Sequence, residues 1–298
     1  MPPRQAPAQT QARSIWRLGG LPVWQLARNV LRDISANNFF GRASELAFDF
    51  LFALFPLLLF MLTLIGAFTS HRTDVQGALL AYISDFLPSA AFALLNATVN
   101  DLAANATGGK LTFGIVLALW FASGGARSMI SALNLAYRVQ EVRSWIKVRA
   151  IALFLTFLIA ILLLAALALV LISGRAVDWL GAALSLAPEA VALWKALQWP
   201  AAVVFMLLSY ALIYYFGPNL ENRRWHWITP GSAFGVLLWL AASLGLRGYL
   251  HFFNTYGATY GSLGAVMILL VWLYVTGLAF LIGGEINAEI ERAASGTT

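Results

Sequence analysis

The chain has no cysteine among its 298 residues, which excludes disulfides, thiolate nucleophiles and cysteine-held metal. Histidine is almost as scarce: His71, His226 and His251 stand far apart, and no HExxH sets two imidazoles on one helix face. Neither GxSxG, nor a Walker A loop, nor a strand-linked GxGxxG occurs. Charge is also sparse, at 11% of residues against about 25% in an ordinary soluble domain. Phosphodiester hydrolysis needs clustered carboxylates or histidines around a metal, or an acid–base pair. The 13 acidic residues are scattered, apart from one group described below. The expectation is a protein that is not an enzyme, with no catalytic residues, no metal and no cofactor.

What the chain has instead is apolar length. Apolar residues make up 60%, and uncharged runs cover 50–70, 111–126, 150–174, 200–219, 228–246 and 252–284. A bilayer core takes about 20 predominantly apolar residues at helical rise. The run from 111 is short and must extend past Arg127, which buries one charge. The predicted fold is all-α: a polytopic bundle of six transmembrane helices, at about 46–69, 111–134, 150–173, 200–217, 229–248 and 259–284.

The flanks complete this plan. Residues 1–20, rich in proline, glutamine and alanine at their start, are expected to be a disordered tail, and 293–298 a short C-terminal one. Residues 21–292 form a single membrane domain. Residues 1–42 carry six arginines and no apolar run resembling a cleavable signal. From Leu21, Val23, Leu26, Val30, Leu31 and Ile34 recur at helical spacing, with Arg28, Arg32 and Asp33 assigned to the other face. Such an amphipathic helix either lies in the headgroup plane or docks on the rim of the bundle. Helical apolar spacing also runs through the loops around Pro88 and Pro188, too charged to span and too apolar to float.

Orientation follows lysine and arginine. The side holding both termini carries 13 of them, the opposite loops 5, and Arg127 is left inside a span. That split places the termini in the cytoplasm and makes the net charge of +6 a matter of topology. Membrane lipids are the expected partners, and no nucleic-acid surface is needed.

Acid and base then converge at one depth. Glu45 and Asp49 stand one turn apart where the first span begins. Arg127 lies in the same third of the second span, with Asn134 two turns beyond it. The sixth span ends in "LIGGEINAEI", bringing Glu285, Asn287 and Glu289 to that level. Glu285 and Glu289, at i,i+4, have the spacing to bind a cation, but the simpler reading of the two is a solvated helix end. Intramembrane charges usually face the bundle interior and pair, because one left alone costs at least ~2.5–3.5 kcal/mol. Glu45, Asp49, Arg127, Asn134, Glu285 and Asn287 are therefore the candidate polar cluster or substrate-binding site. The competing reading leaves the two acids at the interface and lets Arg127 snorkel. Pro56 marks a kink, and Gly231, Gly235, Gly257, Gly261 and Gly264 mark close helix contact.

Four stretches carry a resemblance: "ASELAFDFLFALFPLLL", "LWFASGGARSMISALNLAY", "YYFGPNLENRRWHWITPGSAFGVLLW" and "TYGSLGAVMILLVWLYVTGLAFLIGGEINAE". In that order, over roughly residues 25–292, they resemble the signatures of the YihY/BrkB family of bacterial inner-membrane proteins. The chain differs at Asp49, where the pattern usually has a small or aromatic residue, and at Gly124, where a basic one is frequent. The resemblance implies a multi-pass protein of the bacterial inner membrane. It also brings an old ribonuclease BN label, widely regarded as mistaken, and links to serum resistance, virulence and envelope lipid export. The expected function is transport, or a flippase-like movement, of an amphipathic envelope molecule such as a lipid. The alternative is a non-transporting scaffold or envelope assembly factor; a membrane-bound hydrolase or tRNA-processing enzyme ranks below both.

Overall fold

Leu26, Val30, Asp33 and Ile34 line one face of a helix, and all four are buried. They belong to α1 (Val23–Ala36) of a computed structural model that describes residues 15–68, 96, 108–171, 188–221, 227–252 and 256–295. Two asparagines turn the chain from α1 into α2 (Phe39–Phe68). Asn37 donates its N–H to the Asp33 carbonyl, closing α1. Asn38 takes a left-handed φ of 50° and accepts the Gly41 N–H on its side chain, opening α2. Residues 15–20, assigned by composition to the tail, form a short 3-10 helix against the last helix of the chain. Gly19 makes that contact possible. Its φ is 63°, and an added Cβ would stand 2.6 Å from the Ile290 carbonyl oxygen.

The remaining helices are α3 (Gly108–Ala136), α4 (Trp145–Leu171), α5 (Pro188–Phe216), α6 (Pro230–Phe252) and α7 (Tyr256–Ser295). Among the described residues there is no strand. Among the described residues five helices are long and apolar enough to cross a membrane, through Val116–Ala136, Trp145–Ala166, Val191–Phe216, Pro230–Tyr249 and Val266–Ser295. Residues 46–68 of the first expected span lie in α2, a helix of 30 residues that carries Pro56 in its interior. The span expected at 200–217 begins earlier. Pro200 lies inside α5, and the segment from Pro188 reads on into the membrane helix instead of lying flat as an outer-loop element. The rest of the outer-loop amphipathic segments fall outside the described residues.

Helix α7 is the hub, packing against α2, α6, α1 and the 3-10 helix, while α3 packs on α2 and α4, and α4 on α5. Phe39, Leu46, Leu133, Tyr210, Ile213, Tyr214, Phe280, Leu281 and Ile290 form the main core at the end where α1 lies and α7 finishes, here called the terminal face. The Tyr214 hydroxyl donates to the Phe280 carbonyl at 2.7 Å, so this polar tip is satisfied where it is buried. On α6, Gly231 and Gly235 lie against Gly283 and Ala279 of α7; a Cβ on Gly231 would collide with the Gly283 carbonyl and the Asn287 amide. Gly264 is buried, and the surroundings of Gly257 and Gly261 lie outside the described residues. Large apolar side chains such as Phe48, Phe52, Phe121, Phe154 and Leu237 point outward from the helices, as they do where the solvent is lipid.

Candidate functional site

Three polar groups occupy the terminal face. The first is built on the last turns of α7, where Glu285, Glu289 and Arg292 fall on one side at helical spacing. Arg292 donates to Glu285 at 2.8 Å, to Glu289 at 2.7 Å and to Asp33 of α1 at 3.4 Å. All three acids are buried, Glu285 completely. Asn29 of α1 adds a hydrogen bond to Glu289 at 3.3 Å. A second guanidinium, Arg138, donates to Asp33. Arg138 sits just past α3 with a left-handed φ of 54°, a position that favours glycine or asparagine. Holding an arginine there aims its charge at α1.

Burial pushes the Asp33 carboxyl up, yet the hydrogen bond and charge of Arg138, with help from Arg32, bring it below the ordinary aspartate range. The carboxylate oxygens of Asp33, Glu285 and Glu289 lie within 4.8 Å of one another, close enough to share a metal ion. Arg292 already reaches all three, so the protein supplies its own cation there. One buried oxygen, Glu285 Oε2, has no hydrogen-bond partner among the described residues.

The second group ties α3 to the segments after α3 and α5. Asn134 accepts the Asn219 N–H at 2.8 Å and donates to Glu141 at 2.8 Å. Arg143 closes the ring with three hydrogen bonds to Glu141, two from its guanidinium and one from its backbone N–H, and one to the Gly217 carbonyl. Its guanidinium holds the Glu141 carboxyl below the usual glutamate range. The third group is a cleft of about 60 Å³ between α2 and α3, lined by Arg42, Glu45, Leu46, Asp49, Ser128, Ser131 and Ala132. Within it Arg42 bonds Glu45 at 2.8 Å, and Ser128 donates to Asp49.

The six residues singled out in the sequence are thus distributed among different partners. Glu45 and Asp49 share the cleft, and Asn134 belongs to the ring with Glu141. Glu285 meets Arg292. Asn287 caps α6: its amide oxygen accepts the Gly231 N–H at 2.9 Å and its nitrogen donates to Thr229 at 2.9 Å. Arg127 is exposed and does not join the acids; no ion pair to it is found among the described residues. Asp33, Arg138 and Arg292 were missed. Asp33 was assigned to the polar face of α1, but at 100° per residue it falls within about 20° of Leu26. An acid inside an apolar stripe is the signal that identifies it. Glu285 and Glu289, read together as a solvated helix end, are both buried, and Asn29 of α1 bonds Glu289.

The sequence profile described as Virulence factor BrkB matches residues 30–298. The chain belongs to that family. This BrkB-family protein is 34% identical over 253 residues to the ribonuclease-like protein YfkH of Bacillus subtilis, covering 85% of this chain and 90% of that one. It is 29% identical over 272 residues to UPF0761 membrane proteins of Xanthomonas campestris and Xanthomonas axonopodis, covering 88% of this chain. It spans 60% of the length of those two relatives. No solved structure matches the chain. The matched region runs from α1 to the end of the chain and so takes in all three polar groups. With its apolar helices, the BrkB-family protein is a multi-pass membrane protein.

Proposed function

We propose that this BrkB-family protein resides in the bacterial inner membrane with cytoplasmic termini and moves an amphipathic envelope molecule, such as a lipid, across it. The observation that carries this reading is the cleft between α2 and α3 together with what surrounds it. Arg42, Glu45, Asp49, Ser128 and Ser131 offer a polar head both charges and hydroxyl partners. Phe48 and Phe52, which flank Asp49 on α2, are exposed and in ring contact, with centroids 4.6 Å apart. A polar recess opening beside an apolar wall suits a molecule with a head and a tail. At about 60 Å³ the recess holds a small head fragment or a few waters.

A non-transporting scaffold is the second reading. It is favoured by the α1–α7 network, which Arg138 and Arg292 draw tightly closed. Neither reading assigns catalysis, since the acids best placed for metal chemistry are held by Arg292. The test uses purified protein in liposomes that contain a fluorescent phospholipid and an impermeant quencher added outside. Inner-leaflet lipid should become accessible with the wild type and much more slowly with Asp49→Ala. Rates equal to those of protein-free vesicles would refute transport and leave the scaffold. The same preparation should leave a precursor tRNA uncut.

A further inference from the structure

Arg127 of α3 and Arg149 of α4 both lie in segments long and apolar enough to cross a membrane. Arg149 is nine-tenths buried. Its guanidinium lies 3.8 Å over the Trp120 ring and donates one hydrogen bond to the Trp120 carbonyl. Its Nε is buried with no partner among the described residues. Arg127 stands two turns beyond Trp120 on the same face of α3. Among the described residues neither guanidinium has a carboxylate partner, and Asp49, Glu45 and Glu141 are engaged by Ser128, Arg42 and Arg143. Lone charges at such positions are costly and call for a counter-charge.

The surroundings say where that counter-charge comes from. Trp145 at the start of α4 stands 6.0 Å from Trp120, ring to ring, and both are exposed. Phe121 and Ile146 beside them also point outward. Tryptophans and snorkelling arginines mark the level of the lipid headgroups. Guanidinium groups match phosphate oxygens through paired N–H donors. An aqueous anion would reach this apolar surface poorly, whereas a lipid brings its phosphate there on its own tails.

We propose that Arg127 and Arg149, framed by Trp120 and Trp145, bind the phosphate of an anionic phospholipid of the surrounding bilayer. Arg127 is not among the residues lining the α2–α3 cleft, so this lipid is held whether or not the cleft carries cargo. Native mass spectrometry of the detergent-purified full chain, equilibrated with equal phosphatidylglycerol and phosphatidylcholine, tests it. Both lipids carry the phosphate, but choline brings a cation back beside the guanidinia. The wild type should therefore retain phosphatidylglycerol about tenfold over phosphatidylcholine, about 1.4 kcal/mol of like-charge repulsion. Arg127→Gln, an exposed change that spares the Trp120 contact, should abolish the preference, and Arg127→Lys should keep part of it. Equal retention of the two lipids by the wild type would overturn the proposal. So would a preference unchanged in Arg127→Gln, or one erased by millimolar inorganic phosphate, which would make the site one for free anions. Failure of lipid movement in liposomes, with the preference intact, would bear on transport alone.

Discussion

Arg292 is the side chain on which the terminal face depends. Its guanidinium is 17% exposed and serves three buried acids, whereas Arg42 and Glu45 form a pair 44% and 63% exposed. Removing one partner of a buried ionic group typically costs ~3–5 kcal/mol, because the charges left behind remain desolvated. An exposed pair contributes ~0–1 kcal/mol. Arg292→Ala should therefore lower the melting temperature in detergent far more than Arg42→Ala, and similar losses would show that the network is open to water. Asp33 adds a dependence on acid. Its carboxyl lies below the ordinary aspartate value: burial opposes ionisation, and Arg138 outweighs it. The stability given by the ionised form is complete above the unfolded value of about 3.9 and is lost as pH falls through the lower folded value. Melting temperature should drop steeply below about pH 4, and Asp33→Asn should flatten the drop. An unchanged slope would place the acid sensitivity on other carboxylates.

At the scale of elements, α6 and α7 meet through glycine because nothing larger fits. A side chain at Gly231 would strike the backbone of Gly283, which cannot rotate away as a side chain would. Overpacking of this kind costs ~1–3 kcal/mol. It would also displace Asn287, which caps the first turn of α6. Gly245, on the same helix, has open space where its Cβ would stand. Gly231→Leu should reduce folded protein recovered from membranes, and Gly245→Ala should leave it unchanged or raise it slightly. A tolerant Gly231 would mean that the two helices separate more readily than their contact suggests. Helix α1 is the other element whose placement matters: it docks on α7 through Leu26, Val30 and Ile34 while Trp24 and Leu31 stay exposed. The two placements offered by its sequence are therefore compatible, one face on the bundle and the adjoining apolar face outward.

For the whole molecule, the excess of lysine and arginine on one side predicts both termini in the cytoplasm. Reporter fusions after Ala91 and after Ala187 should report an external location, and a cytoplasmic signal at either would reverse the orientation. The helical class and the presence of several membrane-crossing helices were legible because hydropathy adds up along the chain and needs no knowledge of neighbours. Helix α5 runs back past Pro200 to Pro188, since a helix interior admits proline when neighbouring groups satisfy the freed carbonyl.

The sequence by itself determined that this is a multi-pass helical membrane protein, and to which family it belongs. Of the ionisable residues on the terminal face it singled out Glu45, Asp49 and Glu285, and it left Asp33, Arg138 and Arg292 unmarked. Only the tertiary structure decided which of them meet. Each residue turns a helix by about 100°, so neighbours in sequence such as Arg127 and Ser128 face different surroundings. Ser128 reaches Asp49, and Arg127 is left outside. Asp33 and Arg292 lie 259 residues apart, and their meeting rests on α1 docking against α7. Burial then gives these contacts their weight, because a charge withdrawn from water is stable only beside the partner that the fold supplies.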